Sequence, residues 1–149
     1  MRLAKFGVFG LGAAVLVVIS LTPIPYLASP DWQVWVVDES GSPVPDALVR
    51  LEYQNYSVEM SEHEEDRVAD SQGYAHFPEH RRSASIIQRC WYSGLSARAL
   101  AHASFGLHDW VLAFGNGTEG EAISSGIVVD WPGNPERMES RIVLKPTLQ

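Results

Sequence analysis

Residues 36–53 read VVDESGSPVPDALVRLEY and residues 68–78 read VADSQGYAHFP, and these two stretches decide the fold. In the first stretch, apolar residues alternate with mostly polar ones from Ala47 to Tyr53, which is typical of a β-strand with one buried face. In the second stretch, Asp70 to Gly73 separates two short β-prone segments. This predicts a hairpin, because Gly73 can supply the left-handed backbone angle that such turns need.

The rest of residues 31–149 also consists of short β-prone segments separated by turn formers. The segments that we predict as further strands are residues 32–37, 85–92, 109–114, 127–131 and 139–144. Residues 93–104 are rich in Ala, Leu and Arg, which allows a short helix there. The pattern predicts an all-β fold: an Ig-like or prealbumin-like β-sandwich of about seven strands, preceded by one N-terminal apolar helix.

The order of these signals resembles the carboxypeptidase regulatory-like domains of the prealbumin-like (transthyretin-like) sandwich group. The shared pattern is a strand, an acidic turn with glycine, Pro-Val, a small residue that opens the next strand, and then D-x-x-G-aromatic-x-x-Phe. The residues at those places are Gly41, Pro43, Val44, Ala47, Val49, Leu51, Asp70, Gly73, Tyr74 and Phe77. The resemblance implies one sandwich domain over residues 31–149. It also implies an accessory, linking or binding role, since such domains serve in all three ways.

Residues 1–30 differ from the rest in composition. Arg2 and Lys5 are followed by the apolar run FGVFGLGAAVLVVISL at residues 6–21, and no further charge occurs before Asp31. A basic end followed by an apolar run predicts a signal peptide or an uncleaved signal anchor (a transmembrane helix). We therefore expect a domain anchored to a membrane and exposed outside the cytoplasm, in the periplasm or on the cell surface. The domain would be secreted if the segment were cleaved.

The charge balance excludes one class of partner. The formal net charge is −7, and both charges of residues 1–30 are positive, so the rest of the chain carries −9. A surface of that sign repels phosphate backbones, so we expect no nucleic-acid partner. The single cysteine, Cys90, cannot form an intrachain disulfide, and the fold must be stabilised by its core.

Known catalytic and metal-binding motifs do not fit the sequence. His76-Phe-Pro-Glu-His80 spells H-x-x-E-H, but a zinc site of that type needs both histidines on one helix, and Pro78 in a strand context forbids this. The acidic residues 59–66 lack the spacing of a calcium loop and are expected to form an exposed loop. Asn55-Tyr-Ser57 is a formal glycosylation sequon, which matters only in a host that uses it.

Intradiol dioxygenases also resemble this sandwich through the G-x-P-x-x-x-A strand and the aspartate–glycine turn. They need two tyrosines and two histidines for ferric iron, with the histidines one residue apart. No H-x-H occurs here, so the sequence lacks the histidine pair that would bind the ferric iron of these enzymes.

Trp131 is the candidate binding residue, because Pro132 and Gly133 beside it favour exposure, and exposed aromatic side chains bind sugars and proteins. We predict Trp35 and Trp110, in apolar segments, to be core residues. The sequence predicts a non-enzymatic, membrane-tethered accessory domain, without cofactor or metal, that engages another envelope protein. A glycan-binding module and an enzyme with an unrecognised site are the alternatives.

Overall fold

The computed structural model describes residues 2–115, 118–125 and 137–146. Its helices are α1 (Arg2–Leu21) and α2 (Ile86–Ala97), with a short 3-10 turn at Leu100–His102. Its strands are β1 (Ile24–Ser29), β2 (Asp31–Val37), β3 (Leu48–Asn55), β4 (His63–Val68), β5 (Tyr74–Phe77), β6 (His80–Ala84), β7 (Leu107–Gly115), β8 (Thr118–Ser125), β9 (Arg137–Val143) and β10 (Lys145–Pro146). The described part of the chain thus contains ten strands, more than the sequence predicted.

The strands form three sheets. One antiparallel sheet has the order β10-β8-β7-β3-β4, and a second has the order β5-β2-β9, in which β2 and β9 run parallel. The third is the antiparallel pair β1–β6. The prediction of an all-β, sandwich-like fold is confirmed at this level.

The core lies between the two larger sheets. It is built from alternate residues of facing strands, because successive side chains of a strand point to opposite faces. Its members are Trp32, Val34, Val36, Ala47, Val49, Leu51, Ala69, Ala75, Phe77, Val111, Ala113, Ile142 and Leu144. Each fully buried Val, Leu or Phe contributes roughly 1.5–3 kcal/mol to the stability of the fold. The predicted alternation in β3 is therefore confirmed.

The hairpin predicted around Gly73 is also confirmed. Gly73 has a φ of +69°, and a Cβ at this position would lie 2.4 Å from the carbonyl oxygen of Val36. Asp70 Oδ1 accepts hydrogen bonds from the backbone N–H groups of Gln72 (2.8 Å) and Tyr74 (3.0 Å). The turn and the β2 backbone are thus held together in a way that excludes a side chain at residue 73.

The prediction for residues 85–92 was wrong, because this segment opens helix α2 instead of forming a strand. Ser85 is the N-cap, and its side chain accepts a hydrogen bond from the backbone N–H of Gln88. The helix is fastened to the sheet loops by polar bonds from Gln88 to the Val58 carbonyl and from Ser96 to the Tyr56 carbonyl. The β-branched pair Ile86–Ile87 favoured a strand locally, but capping and these contacts decide the outcome.

Strand β1 lies inside residues 1–30, which the sequence assigned to a leader. It pairs with β6 from Ile24↔Ala84 to Ser29↔His80. The sheet contacts of the fold therefore begin before Asp31, and the division at residue 30 stays a prediction.

Across residues 10–115, 118–121 and 138–145, whose side chains the structure describes, no helix is long and apolar enough to cross a membrane. This contradicts the predicted transmembrane anchor and the membrane-tethered location that was inferred from it.

Candidate active site

The inner face of the larger sheet changes from apolar to polar toward its β1–β6 end. In the register of β3 and β7, Leu51 pairs with Val111, the next inward pair is Tyr53 with Asp109, and the last is Asn55 with Leu107. Leu51 and Val111 are fully buried core residues, whereas Asp109 is an acid with only 1% of its surface exposed. The polar end of this face is where we locate the candidate site.

Asp109 is a buried carboxyl group without ordinary hydrogen-bond partners. Among the described residues, its two carboxyl oxygens and the nearby Ser29 hydroxyl are buried and have no partner at full hydrogen-bond geometry. Burial raises the pKa of Asp109 to about 7, and a weak hydrogen bond from the Ser29 hydroxyl opposes that shift only in part. Buried polar groups in folded proteins are nearly always satisfied, so an exception of this kind requires an explanation.

A cavity of about 300 Å³ has Leu107 of β7 in its wall, and Leu107 is two residues from Asp109. Its wall is formed by Tyr26, Leu27, Asn55, Ser57, Arg89, Gly106 and Leu107. Leu107 and Asp109 are two residues apart on β7 and point to the same face, so they are separated by roughly 7 Å along the strand. Asp109 therefore occupies the inward position next to that of Leu107, on the core side of the cavity wall.

Tyr26 brings a phenol to the cavity wall. Its hydroxyl donates to Glu59 Oε1 at 3.4 Å, and Glu59 Oε2 lies 2.9 Å from His63 Nε2. Burial, followed by the charge of Glu59, raises the pKa of Tyr26 to about 12. At neutral pH the phenol thus keeps its proton and can donate a hydrogen bond.

Tyr53 packs against two histidines. Its ring is stacked on the His80 ring at a centroid distance of 5.2 Å with an interplanar angle of 8°, and it contacts the His63 ring at 5.2 Å and 31°. His80 Nε2 lies 2.7 Å from Glu65 Oε2. Each of the two histidines is thus held by a different carboxylate.

The acidic residues 59–66 do not form the exposed loop that the sequence predicted, because residues 63–68 form strand β4. Glu59 and Glu65 bind histidines, while Glu64 and Asp66 pair with Arg50. Pairs of opposite charge between neighbouring strands therefore stabilise an extended strand in a segment that the sequence predicted as a solvated loop.

The two histidines of the H-x-x-E-H sequence lie on different strands and have different partners. His76 on β5 is paired with Asp31 at 2.7 Å, whereas His80 on β6 is paired with Glu65. Among the described residues, we find no group of three or more His, Cys, Asp or Glu side chains arranged to hold a metal ion.

The tryptophans are placed differently from the prediction. Among the tryptophans that the structure describes, Trp32 is fully buried, and its Nε1 donates to Ser140 Oγ at 2.8 Å. Trp35 and Trp110, which were predicted as core, are only half-buried. Trp131 lies outside the described residues, and its binding role stays a prediction.

This chain is similar to known proteins in structure but not in sequence. The sequence matches no family model and no curated protein. The structure is similar to a 3-chlorocatechol 1,2-dioxygenase from Rhodococcus opacus, with 14% identity and a TM-score of 0.52, over 87% of this chain and 64% of that enzyme.

Two further similar structures have lower TM-scores. One is a chlorocatechol 1,2-dioxygenase from Pseudomonas putida, with 14% identity, a TM-score of 0.46, and coverage of 78% of this chain and 60% of that one. The other is a catechol 1,2-dioxygenase from an Acinetobacter species, with 13% identity, a TM-score of 0.45, and coverage of 82% and 54%. The chain therefore spans less than two thirds of the length of these enzymes.

These comparisons correct two predictions. The fold is that of the Rhodococcus dioxygenase, so the assignment to the carboxypeptidase regulatory-like domains was wrong. The turn-and-strand pattern of residues 37–77 is compatible with both groups, and it could not separate them. The prediction of a non-enzymatic accessory domain is contradicted by the same likeness, because the Rhodococcus protein that has this fold is an enzyme. Missing motifs are weak grounds for exclusion when a site is assembled from separate strands.

The ferric iron of intradiol dioxygenases does not fit the residues present. Tyr26, Tyr53, His63 and His80 do lie in one region, but the Nε2 atoms of the histidines are directed to Glu59 and Glu65. The parallel stack of Tyr53 on His80 presents the face of the imidazole to the phenol, whereas metal ligation needs the ring nitrogen in its plane. These four side chains therefore do not form the iron site of an intradiol dioxygenase.

Proposed function

We propose that this chain is an enzyme that performs general acid–base catalysis on a small substrate in the cavity beside Asp109. Asp109 would give a proton to the substrate or take one from it. The observation that carries the proposal is the buried, poorly satisfied carboxyl group of Asp109, two residues along β7 from Leu107 of the cavity wall. The dioxygenase-like fold supports an enzyme in general, and the choice of chemistry rests on this site alone.

The properties of Asp109 suit proton transfer. A general acid or base is most efficient when its pKa lies near the working pH, and the pKa of Asp109 is about 7. Titratable groups shifted by burial beside a cleft are frequent at active sites. A carboxyl group kept only for structure would be expected to have hydrogen-bond partners, since an unpaired buried acid costs stability.

The other polar groups of the site have supporting roles in this proposal. The Tyr26 phenol lines the cavity, and because its single proton is donated to Glu59, its oxygen would accept a hydrogen bond from a donor group of the substrate. Glu59 holds the phenol, and His63 contacts the other carboxylate oxygen of Glu59. These contacts fix the position of the phenol before a substrate enters.

A substrate screen tests the proposal. The full chain would be incubated in D₂O with a panel of small esters, amides and enolisable carbonyl compounds, and NMR would report hydrolysis or deuterium incorporation. For any compound that is turned over, Asp109→Asn should lower the rate by about 100-fold or more. Asp46→Asn is the matched control, because Asp46 is an exposed turn residue whose φ of 59° asparagine tolerates. Turnover that survives Asp109→Asn, or no turnover across the panel, contradicts the proposal.

A second candidate function is glycan binding. It is favoured by a groove lined by Trp35, Pro43 and Arg141, because an aromatic face beside a polar group is the usual platform for a sugar ring. Trp131 remains part of this candidate. Retention of the full chain on immobilised polysaccharides, lost in Trp35→Ala, would support it, and no retention on any polysaccharide would contradict it. Envelope proteins as partners, and the exclusion of nucleic acid, stay predictions from the sequence.

A further inference from the structure

Arg89 differs from the other arginines of the site region in having no ion pair with a carboxylate of the residues that the structure describes. Arg50 and Arg82, also near acidic residues, form ion pairs with Asp66 and Glu59. The Nε of Arg89 is buried without a hydrogen-bond partner, and its Nη2 lies 3.4 Å from the carbonyl oxygen of Ile24, at the limit of a hydrogen bond. A buried guanidinium N–H without a partner is costly, and a bound anion would supply that partner.

The position of the guanidinium is fixed from one side. Its Cζ lies over the Tyr26 ring, 5.3 Å from the centroid. This contact holds the plane of the group through a cation–π interaction and leaves the edge of its fork for another partner. Arg89 also lines the cavity that Tyr26 lines. The cation is therefore held in place at the wall of the candidate site.

The neighbouring polar groups present donors to the cavity. Asn55 Oδ1 already accepts from the backbone N–H of Ser57 at 3.1 Å, and Ser57 Oγ accepts from the backbone N–H of Gly106 at 2.9 Å. With these acceptors engaged, the Asn55 amide N–H₂ and the Ser57 hydroxyl proton are the groups left to bind a ligand. A cation accompanied by donors is complementary to an oxyanion.

We propose that the cavity binds the carboxylate of a small monoanionic substrate, with Arg89 as the counter-ion. This inference rests on the proposed function, because it names the substrate class of the same site. A carboxylate matches the planar fork of an arginine. Arg89 is the one cation among the described residues of the wall, and one cation balances a monoanion better than a phosphate dianion. Leu27 and Leu107 supply an apolar surface for the body of the ligand.

Benzoate is the probe for this site, and benzamide is its uncharged isostere. Titration of the full chain, followed by NMR of the arginine Nε–H groups and by calorimetry, should give benzoate a Kd on the order of 1 mM, as expected for a fragment of this size. The Arg89 Nε–H resonance should move with benzoate and stay fixed with benzamide. Equal binding of benzamide, or no benzoate binding, would overturn the inference.

Variants separate this inference from the proposed function. Arg89→Gln should weaken benzoate binding by about 10-fold or more, which is the effect expected when a charged hydrogen-bonded pair is lost. Arg89→Lys should also weaken it, since lysine lacks the planar fork of the guanidinium. Arg98→Gln, an exposed arginine that follows the same helix, should bind as the unmodified chain does. Unchanged binding by both Arg89 variants would overturn the inference.

Asp109→Asn should still bind benzoate while losing turnover. If benzoate binding fails but turnover depends on Asp109, the anion site is wrong and the acid–base proposal stands. If binding depends on Arg89 but turnover survives in Asp109→Asn, the acid–base proposal is wrong and the anion site stands.

Discussion

Asp109 lies directly opposite Tyr53 in the β3–β7 ladder, on the inner face of the larger sheet. Burial raises the pKa of both groups, and the charge of Asp109 adds to the shift of Tyr53. Two proton-bearing groups thus occupy the last inward positions before the cavity, where an apolar pair would continue the core. The free-energy cost of burying Asp109 depends on pH, so the stability of the fold as a function of pH provides a direct test.

Asp109→Asn should make the folded state more stable at high pH. The pKa of Asp109 is raised from 3.8 to about 7, so the folded state binds its proton more tightly than the unfolded state does. The contribution of this group is fully favourable below pH 3.8 and is lost as the pH rises through about 7. Each pKa unit corresponds to about 1.4 kcal/mol, so the variant should gain on the order of 4 kcal/mol above pH 7 and little near pH 4.

Chemical denaturation of both proteins across that pH range measures the effect. Asp46→Asn serves again as the control, and the difference between it and the unmodified chain should not change with pH. A constant difference between Asp109→Asn and the unmodified chain at all pH values would show that Asp109 is not a raised, buried acid.

Glu59→Gln should lower the pKa of Tyr26 from its value of about 12. Burial is the largest cause of the shift and stays, but the charge of Glu59 and its hydrogen bond to the phenol both raise the pKa, and the substitution weakens both. NMR titration of selectively labelled tyrosine rings would follow the change. Glu62→Gln, an exposed neighbour in sequence, is the control. A Tyr26 pKa that is the same in Glu59→Gln as in the unmodified chain contradicts the contact.

The strands and turns around the core could be predicted from local pattern, and several other elements could not. Val49 and Leu51 alternate with charged residues, and Gly73 follows Asp70 at the spacing of a turn, so both features are visible in the sequence. Strand β4 was missed because its acidic residues are neutralised by Arg50 and Arg67 from neighbouring positions, which only the pairing reveals. The first two turns of helix α2 were predicted as a strand because Ile86 and Ile87 are β-branched, whereas the Ser85 cap favours a helix; the short helix allowed at residues 93–104 overlaps only the end of α2.

The site was missed for a related reason. Asp109 stands among Leu107, Val111 and Ala113 at the inward positions of β7, and an acid in such a series is a signal that could have been used. Tyr26 and Arg89 come from β1 and α2, and nothing in the sequence indicates that these elements meet at one cavity. The search for known motifs could not find a site assembled in this way.

Gly73→Ala should destabilise the fold by about 2–4 kcal/mol, because the new Cβ would meet a backbone carbonyl at 2.4 Å and the backbone has a φ of +69°. Gly94→Ala is the matched control: no atom lies within 4 Å of its Cβ, and it lies inside α2, where alanine is favoured over glycine by up to about 1 kcal/mol. Urea denaturation should therefore move the two midpoints in opposite directions. A shift in the same direction for both variants would contradict the assigned turn or the assigned helix.

Ser85→Ala should lower stability by about 1 kcal/mol, the usual cost of removing an N-cap side chain. The Ser85 hydroxyl accepts from the backbone N–H of Gln88, and without it one of the first donors of α2 loses its partner. Circular dichroism during urea denaturation would report the midpoint and the helix signal together. Ser83→Ala, an exposed position of β6, should leave both unchanged within about 0.5 kcal/mol. Equal effects of the two substitutions would mean that residue 85 does not cap a helix. In that case Arg89, one turn further on, would no longer be placed at the cavity by α2.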